Sequence, residues 1–197
     1  MELNVQAQSF YQWFGKRLFD LFIVLSATVV LLPFMILIAL MIKIVDPGPV
    51  IFKQKRVGRK GDIFDFYKFR SMPVNTGDLP SDKVGQVQLT WIGKLIRRTN
   101  LDELPQLFNV VKGDMSIVGP RPPIPSQTEL TELRKENGAL NCRPGLTGLA
   151  QVSSFDGMTV PEKAAFDGQY ADGVTFFGDI AIILRTFVYL LKPPPVY

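Results

Sequence analysis

The chain has 197 residues, a net charge of +4 and no histidine, with a pI of about 9.2. The missing imidazole excludes Ser-His and Cys-His catalysis and histidine-bound zinc. A lone cysteine, Cys142, excludes an internal disulfide and, with no partner to activate it, is expected to be a packing residue.

The first recognisable element is an oily run. From Leu21 to Ile42 no residue is charged, and a spanning helix needs only about 20 such residues. No small-residue cleavage pattern follows it, so the run is expected to remain in the mature protein. Lys16 and Arg17 precede it and Lys43, Lys53, Lys55 and Arg56 follow, so both flanks carry the positive charge that marks a cytoplasmic side. Pro33, near the middle, removes a backbone donor. These features leave two forms open: a kinked span, or a helix broken at Pro33 that dips into one leaflet and returns.

"DPGPV" at Asp46 ends this segment, which places a boundary between an N-terminal unit at 1–46 and a second domain at 47–197. The next stretch reads as a β-hairpin turning at Gly58 to Gly61, with Phe64, Phe66, Lys68 and Arg70 on one face. Its basic run from Lys53 to Lys60 suits an anionic lipid surface. Pro73 to Gln88 reads as a mobile loop. A short helix capped by Thr90 should bury Trp91, Ile92, Leu95 and Ile96 and turn Lys94, Arg97 and Arg98 outward.

In "TNLDELPQLFNVVKG", Leu101, Leu104, Leu107, Phe108 and Val111 recur at helical spacing, and Lys112-Gly113 supplies a stop. That reading puts Asp102 and Glu103 at a helix N-terminus, where ordinary capping competes with a site for anions. "SQTE" at Ser126 and "TVPE" at Thr159 read as capping boxes, the first helix ending at Asn137. Val174 to Lys192 is oily but holds Asp179 and Arg185. Each would cost about 2.5–3.5 kcal/mol at a bilayer centre, so a buried or interfacial helix is expected there. The fold class expected is α+β, mainly helical, with one short hairpin.

Arginines surround the acidic pair in sequence: Arg97 and Arg98 before it, Arg121 in "GPRP" and Arg143 in "CRPGLTG", the last two in proline- and glycine-fixed turns. Arginine forks suit phosphate oxygens, and carboxylates beside them suit a Mg²⁺-bridged diphosphate. An attacking carboxylate or phosphate is already an anion at neutral pH. A two-step transfer, carboxylate first and phosphate second, therefore runs without an imidazole base.

The blocks "KRLFDL" at Lys16, "GPVIFKQKRVG" at Gly48, "FYKFRSM" at Phe66, "GKLIRRTNLDELPQLFNVVKGDMSIVGPRP" at Gly93 and "RPGLTGLAQV" at Arg143 together resemble the monotopic phosphoglycosyl transferases of the bacterial sugar transferase family. The resemblance covers nearly the whole chain. It implies a re-entrant membrane helix on the cytoplasmic face of the bacterial inner membrane, although the family's Ser-Pro break is Leu32-Pro33 here. It also implies transfer of a sugar-1-phosphate from a UDP-sugar to polyprenyl (undecaprenyl) phosphate, with UMP released and Mg²⁺ required. By the matched positions Asp102 is the nucleophile and Glu103 a metal ligand, while Arg121, Lys68, Arg97 and Arg143 hold phosphate. Two alternatives stand beside this: a membrane-anchored nucleotide-sugar hydrolase, and a non-enzymatic membrane-bound anion binder. Nucleic acid is not an expected partner, because the basic residues gather beside the oily segment and not along an aromatic-studded strand.

Overall fold

The computed structural model describes residues 10–74, 89–153 and 157–190, and its longest element is α1, Lys16–Val45, entered through a π-helical turn at Tyr11–Gly15. Pro33 lies inside α1 and does not end it; Asp46 does. One stripe of α1 is buried, including Val24, Met35, Ile38 and Ile42. The opposite stripe, with Phe22, Leu25, Val29, Phe34, Leu37 and Leu40, is exposed. Among the described residues α1 is the one helix long and apolar enough to cross a membrane.

The hairpin forms as expected. β1 (Ile51–Val57) pairs antiparallel with β2 (Ile63–Phe69), with Phe52 opposite Lys68 and Arg56 opposite Phe64. The turn takes positive φ at Lys60 and at Gly61, and at the second position glycine supplies it without strain. The expected loop at Pro73–Gln88 lies almost wholly outside the described residues.

α2 (Trp91–Arg98) is capped by the Thr90 side chain, which accepts from the Gly93 amide. Its buried face differs from the expected one: Ile92, Gly93 and Ile96 pack inward, whereas Trp91 and Leu95 are exposed. Gly93 explains the rotation. A β-carbon there would collide with the Ser71 carbonyl, so the helix lays its glycine against the chain leaving β2.

β3 (Ser116–Val118) and β4 (Gly145–Thr147) form a parallel pair that the sequence reading did not foresee, since three-residue strands carry no usable periodicity. The crossover between them carries α4 (Thr128–Glu136). Its N-terminus also departs from expectation: the cap position is Gln127, with no side-chain cap, so the proposed box at Ser126 does not form. The box at Thr159 does form, with Glu162, and opens α6 (Val160–Asp172) after the short α5 (Leu149–Ser153).

α7 (Phe176–Leu190) shows why the last oily segment tolerates an acid. Asp179 is fully buried; Lys16 and the Tyr11 hydroxyl each lie 2.7 Å from its Oδ2, and the Tyr170 hydroxyl lies 2.9 Å from its Oδ1. The network ties the start of α1 to α6 and α7.

Two apolar clusters fill the interior. One joins Val24 of α1 to Phe66, Val110, Met115, Val118 and Ile182. The other joins Met35, Ile38 and Ile42 of α1 to Phe69, Ile92 and Ile96. β2 thus sends Phe66 into one cluster and Phe69 into the other. Cys142 packs against the first, and burial pushes its thiol up to about 11.

Candidate active site

Asp102 and Glu103 occupy a separate 3-10 turn, Leu101–Glu103, that follows Asn100 in the left-handed region. They do not open a continuous helix from Leu101 to Val111. Pro105 has no N–H to give the Leu101 carbonyl, so the α-helical ladder starts only with α3 (Gln106–Lys112). Leu107 and Val110 are buried, while Phe108 and Val111 point outward. The field at the acidic pair is therefore set mainly by side chains.

Lys68 comes from β2 and Arg121 from the Gly-Pro-Arg-Pro turn after β3. Lys68 Nζ lies 2.8 Å from Glu103 Oε1, and Arg121 Nη2 lies 2.6 Å from the same oxygen. Both cations claim Glu103. Asp102 is 7% exposed; its one ion-pair partner among the described residues is Lys68, 3.7 Å from its Oδ2, which is beyond hydrogen-bonding reach.

The electrostatics follow this division. Burial raises the Asp102 pKa, opposed mainly by the charge of Lys68 and then by those of Arg97 and Arg121. Burial acts on Glu103 too, but Arg121 and Lys68 together hold its carboxyl well below the usual carboxylate range. Glu103 in turn raises the pKa of Arg121.

The structure thus brings Asp102, Glu103, Lys68 and Arg121 into one network, with Arg97 acting on it through charge. Arg97 is half-buried, and its Nη1 has no hydrogen-bond partner among the described residues. Arg143 does not join them. Its Nε donates to the Gly113 carbonyl 3.1 Å away, just past the far end of α3, beside Arg17 and Arg59. Pro33 lies in α1, outside this network.

The sequence reading missed Arg56. Its guanidinium bonds Gln54 and the Pro122 carbonyl, the latter at 3.0 Å, and stacks 5.2 Å from the Phe66 ring centroid. Burial, then the like charge of Arg121, brings its pKa down to about 10. The signal was present: cross-strand partners share a face, so the face given to Phe64, Phe66 and Lys68 extends across the hairpin to Arg56. A second omission is the buried pair Arg134–Asp167, with Nη2 2.5 Å from Oδ2. Its members lie on α4 and α6, and no local pattern announces their contact.

A family model described as bacterial sugar transferase matches residues 11–193. The exopolysaccharide production protein PSS of Rhizobium leguminosarum bv. phaseoli is 42% identical over 190 residues, which are 88% of this chain and 93% of that protein. The UDP-glucose:undecaprenyl-phosphate glucose-1-phosphate transferase of Caulobacter vibrioides is 36% identical over 191 residues, 92% of this chain and 72% of that protein. The undecaprenyl-phosphate galactose phosphotransferase of Salmonella typhimurium is 38% identical over 202 residues; they cover 93% of this chain, which thus spans only 42% of that longer protein. A match running almost end to end, laid over a site of two acids and their attendant cations, shows that the chain belongs to the bacterial sugar transferase family.

Proposed function

We propose that the chain transfers a sugar-1-phosphate from a UDP-sugar to a polyprenyl phosphate, through a covalent intermediate on Asp102. The observation that carries this reading is the unequal treatment of the two acids: Glu103 is bound by Lys68 and Arg121, while Asp102 faces Lys68 with no cation hydrogen-bonded to it among the described residues. A carboxylate without a hydrogen-bonded cation keeps its lone pairs for attack.

In the first step an Asp102 oxygen bonds to the phosphorus that carries the sugar. The bond from that phosphorus to the bridging diphosphate oxygen breaks, and UMP leaves with that oxygen. In the second step an oxygen of the lipid phosphate bonds to the same phosphorus. The acyl-phosphate bond breaks, Asp102 is restored as carboxylate, and the lipid carries a sugar diphosphate. Neither attacking group needs a base. Lys68, Arg97 and Arg121 would offset the phosphate charge.

Among the described residues no third acid joins Asp102 and Glu103 as a metal cluster. Two carboxylates suit Mg²⁺, which is commonly held by one or two of them together with substrate phosphates. Glu103 would hold the ion, and only with a diphosphate present. Bound there, Mg²⁺ supplies charge neutralisation at the diphosphate.

We place the site at headgroup depth on the cytoplasmic face. α1 supports this, because both its ends are tied to one body. At its start Lys16 meets Asp179 and Arg17 donates to the carbonyls of Val110 and Val111; toward its end Ile38 and Ile42 pack on Phe69 and Ile92. A helix crossing the bilayer would carry one end away from such a body, whereas one dipping into a single leaflet would not. The exposed apolar side chains Trp91 and Leu95 of α2 and Phe177 and Phe187 of α7 suit interfacial helices.

The test is intact-mass analysis of the full chain incubated with UDP-sugars. A sugar-phosphate adduct, absent in Asp102→Asn, is expected. Full turnover by Asp102→Asn overturns the covalent route. Without polyprenyl phosphate UMP release should stop at about one per protein; sustained release beyond that makes the protein a hydrolase.

A further inference from the structure

We propose that Arg134 and Asp167 are a positioning pair that aims the Arg121 guanidinium at the acidic site. The inference rests on reading Arg121 as a ligand for the donor's diphosphate. It begins with the turn that carries Arg121. In Gly119-Pro120-Arg121-Pro122-Pro123 three residues are prolines and have no N–H to donate. Gly119 N donates to the Thr147 carbonyl at 2.9 Å, and beyond it the turn is held mainly through its carbonyls.

Four successive carbonyls are caught by three elements: β4, α4 and, twice, β1. Gly145 N donates to Pro120 O at 3.0 Å, Arg134 Nη1 to Arg121 O at 2.9 Å, Arg56 Nη1 to Pro122 O at 3.0 Å, and Val57 N to Pro123 O at 2.9 Å. Two of these bonds flank the Arg121 α-carbon: Gly145 holds the peptide before it and Arg134 the peptide after it. They bear most directly on where the Arg121 side chain leaves the backbone, and of the two only the Arg134 bond comes from a side chain.

Arg134 is itself immobilised. Its Nε and Nη2 lie 2.8 and 2.5 Å from a single oxygen, Asp167 Oδ2. The two residues are 2% and 1% exposed. With two nitrogens committed, the planar fork cannot turn, and Nη1 is left pointing at the Arg121 carbonyl. α4 and α6 have another tie: Asn137 Nδ2 donates to the Ala164 carbonyl at 2.6 Å, beside the close approach of Gly168 to Asn137. What Arg134–Asp167 alone adds is the bond into the turn.

UDP, the portion shared by all UDP-sugar donors, is the probe. It is titrated into the full chain reconstituted in lipid nanodiscs, with wild type, Arg121→Ala, Arg134→Lys, Asp167→Asn and the double variant Arg121→Ala/Arg134→Lys. Arg134→Lys keeps the charge but loses the fork; Asp167→Asn keeps the shape and an acceptor, and serves if the first variant folds poorly. Losing an aimed charge-assisted contact should weaken UDP binding about tenfold in each single variant. In the double variant the loss should stay within about twofold of Arg121→Ala alone, the non-additivity expected of residues acting through one another. Thermal unfolding of every variant is measured alongside, because a merely structural pair would lower the melting temperature and leave the cycle additive. Additive losses, or unchanged UDP affinity in both Arg134→Lys and Asp167→Asn, overturn the positioning role and leave the reading of Arg121 standing. Unchanged affinity in Arg121→Ala overturns both.

Discussion

Lys68 stands 3.7 Å from Asp102, close enough to act through charge and too far to hydrogen-bond. It is the largest influence opposing the upward shift that burial imposes on Asp102. On the proposed mechanism Asp102 must be ionised to attack, so the acid limb of kcat/KM should lie above the ordinary carboxylate value. Lys68→Met should move that limb to still higher pH. A pH–rate profile of the two proteins checks both statements, and a limb that stays in place in the variant separates Lys68 from the nucleophile.

The acids should affect stability with opposite signs. Asp102 has a raised pKa in the folded state, so its contribution is full below the ordinary carboxylate value, about 3.9, and is lost as pH rises through the raised value. At pH 7 its buried charge is a net cost, and Asp102→Asn should match or exceed the wild-type melting temperature. Glu103 has a depressed pKa; its contribution is present above about 4.3 and lost as pH falls through the folded value. Glu103→Gln should lower stability at pH 7 by about 1 kcal/mol, or ~2–4 °C in Tm. Calorimetry at pH 7 distinguishes the two.

Turnover should rank the pair differently. If Asp102 is the nucleophile proposed, Asp102→Asn removes its anionic oxygen and should cost ~10³-fold or more in kcat, because loss of a nucleophile is among the most severe single changes an enzyme suffers. Glu103→Gln leaves the nucleophile but releases Lys68 and Arg121, and should cost ~10²-fold. Steady-state UMP release measures both.

Asp179 holds the start of α1 through Lys16 and Tyr11. Asp179→Asn leaves Lys16 largely buried without its counter-charge. A loss of about 3–5 kcal/mol is expected, the usual scale for breaking a buried pair from one side. Thermal unfolding in a fixed detergent or nanodisc reads it.

Gly145 faces the Gly119 backbone so closely that a β-carbon would collide with it. Gly145→Ala should cost about 1–3 kcal/mol of stability and reduce activity as well, since the Gly145 amide holds the Pro120 carbonyl of the arginine-bearing turn. Unfolding and turnover on one preparation report both effects.

Where a single residue governs local geometry, the sequence was a good guide: Gly58 and Gly61 around the hairpin turn, Thr90 and Thr159 as caps, Gly113 as a left-handed stop. It misled where two local rules competed. Leucine spacing favoured one helix through Leu101–Val111, and the missing amide of Pro105 divided it. Trp91 and Leu95 belonged to the apolar face by composition, yet close backbone packing at Gly93 turned them outward. Of the site, Asp102, Glu103, Lys68 and Arg121 could be named because motif and charge mark them, and they share one network. Arg56, Arg134 and Asp167 could not be found that way. Their partners lie far along the chain, and the pairing depends on how α4, α6 and the hairpin meet, which no window of sequence records.

α1 supplies Val24 to one apolar cluster and Met35, Ile38 and Ile42 to the other. The oily segment is thus as much an interior beam of the fold as the mooring proposed for it. Cutting it away to obtain a water-soluble version would excavate both cores at once and strip the cover from Phe69, one residue along from Lys68.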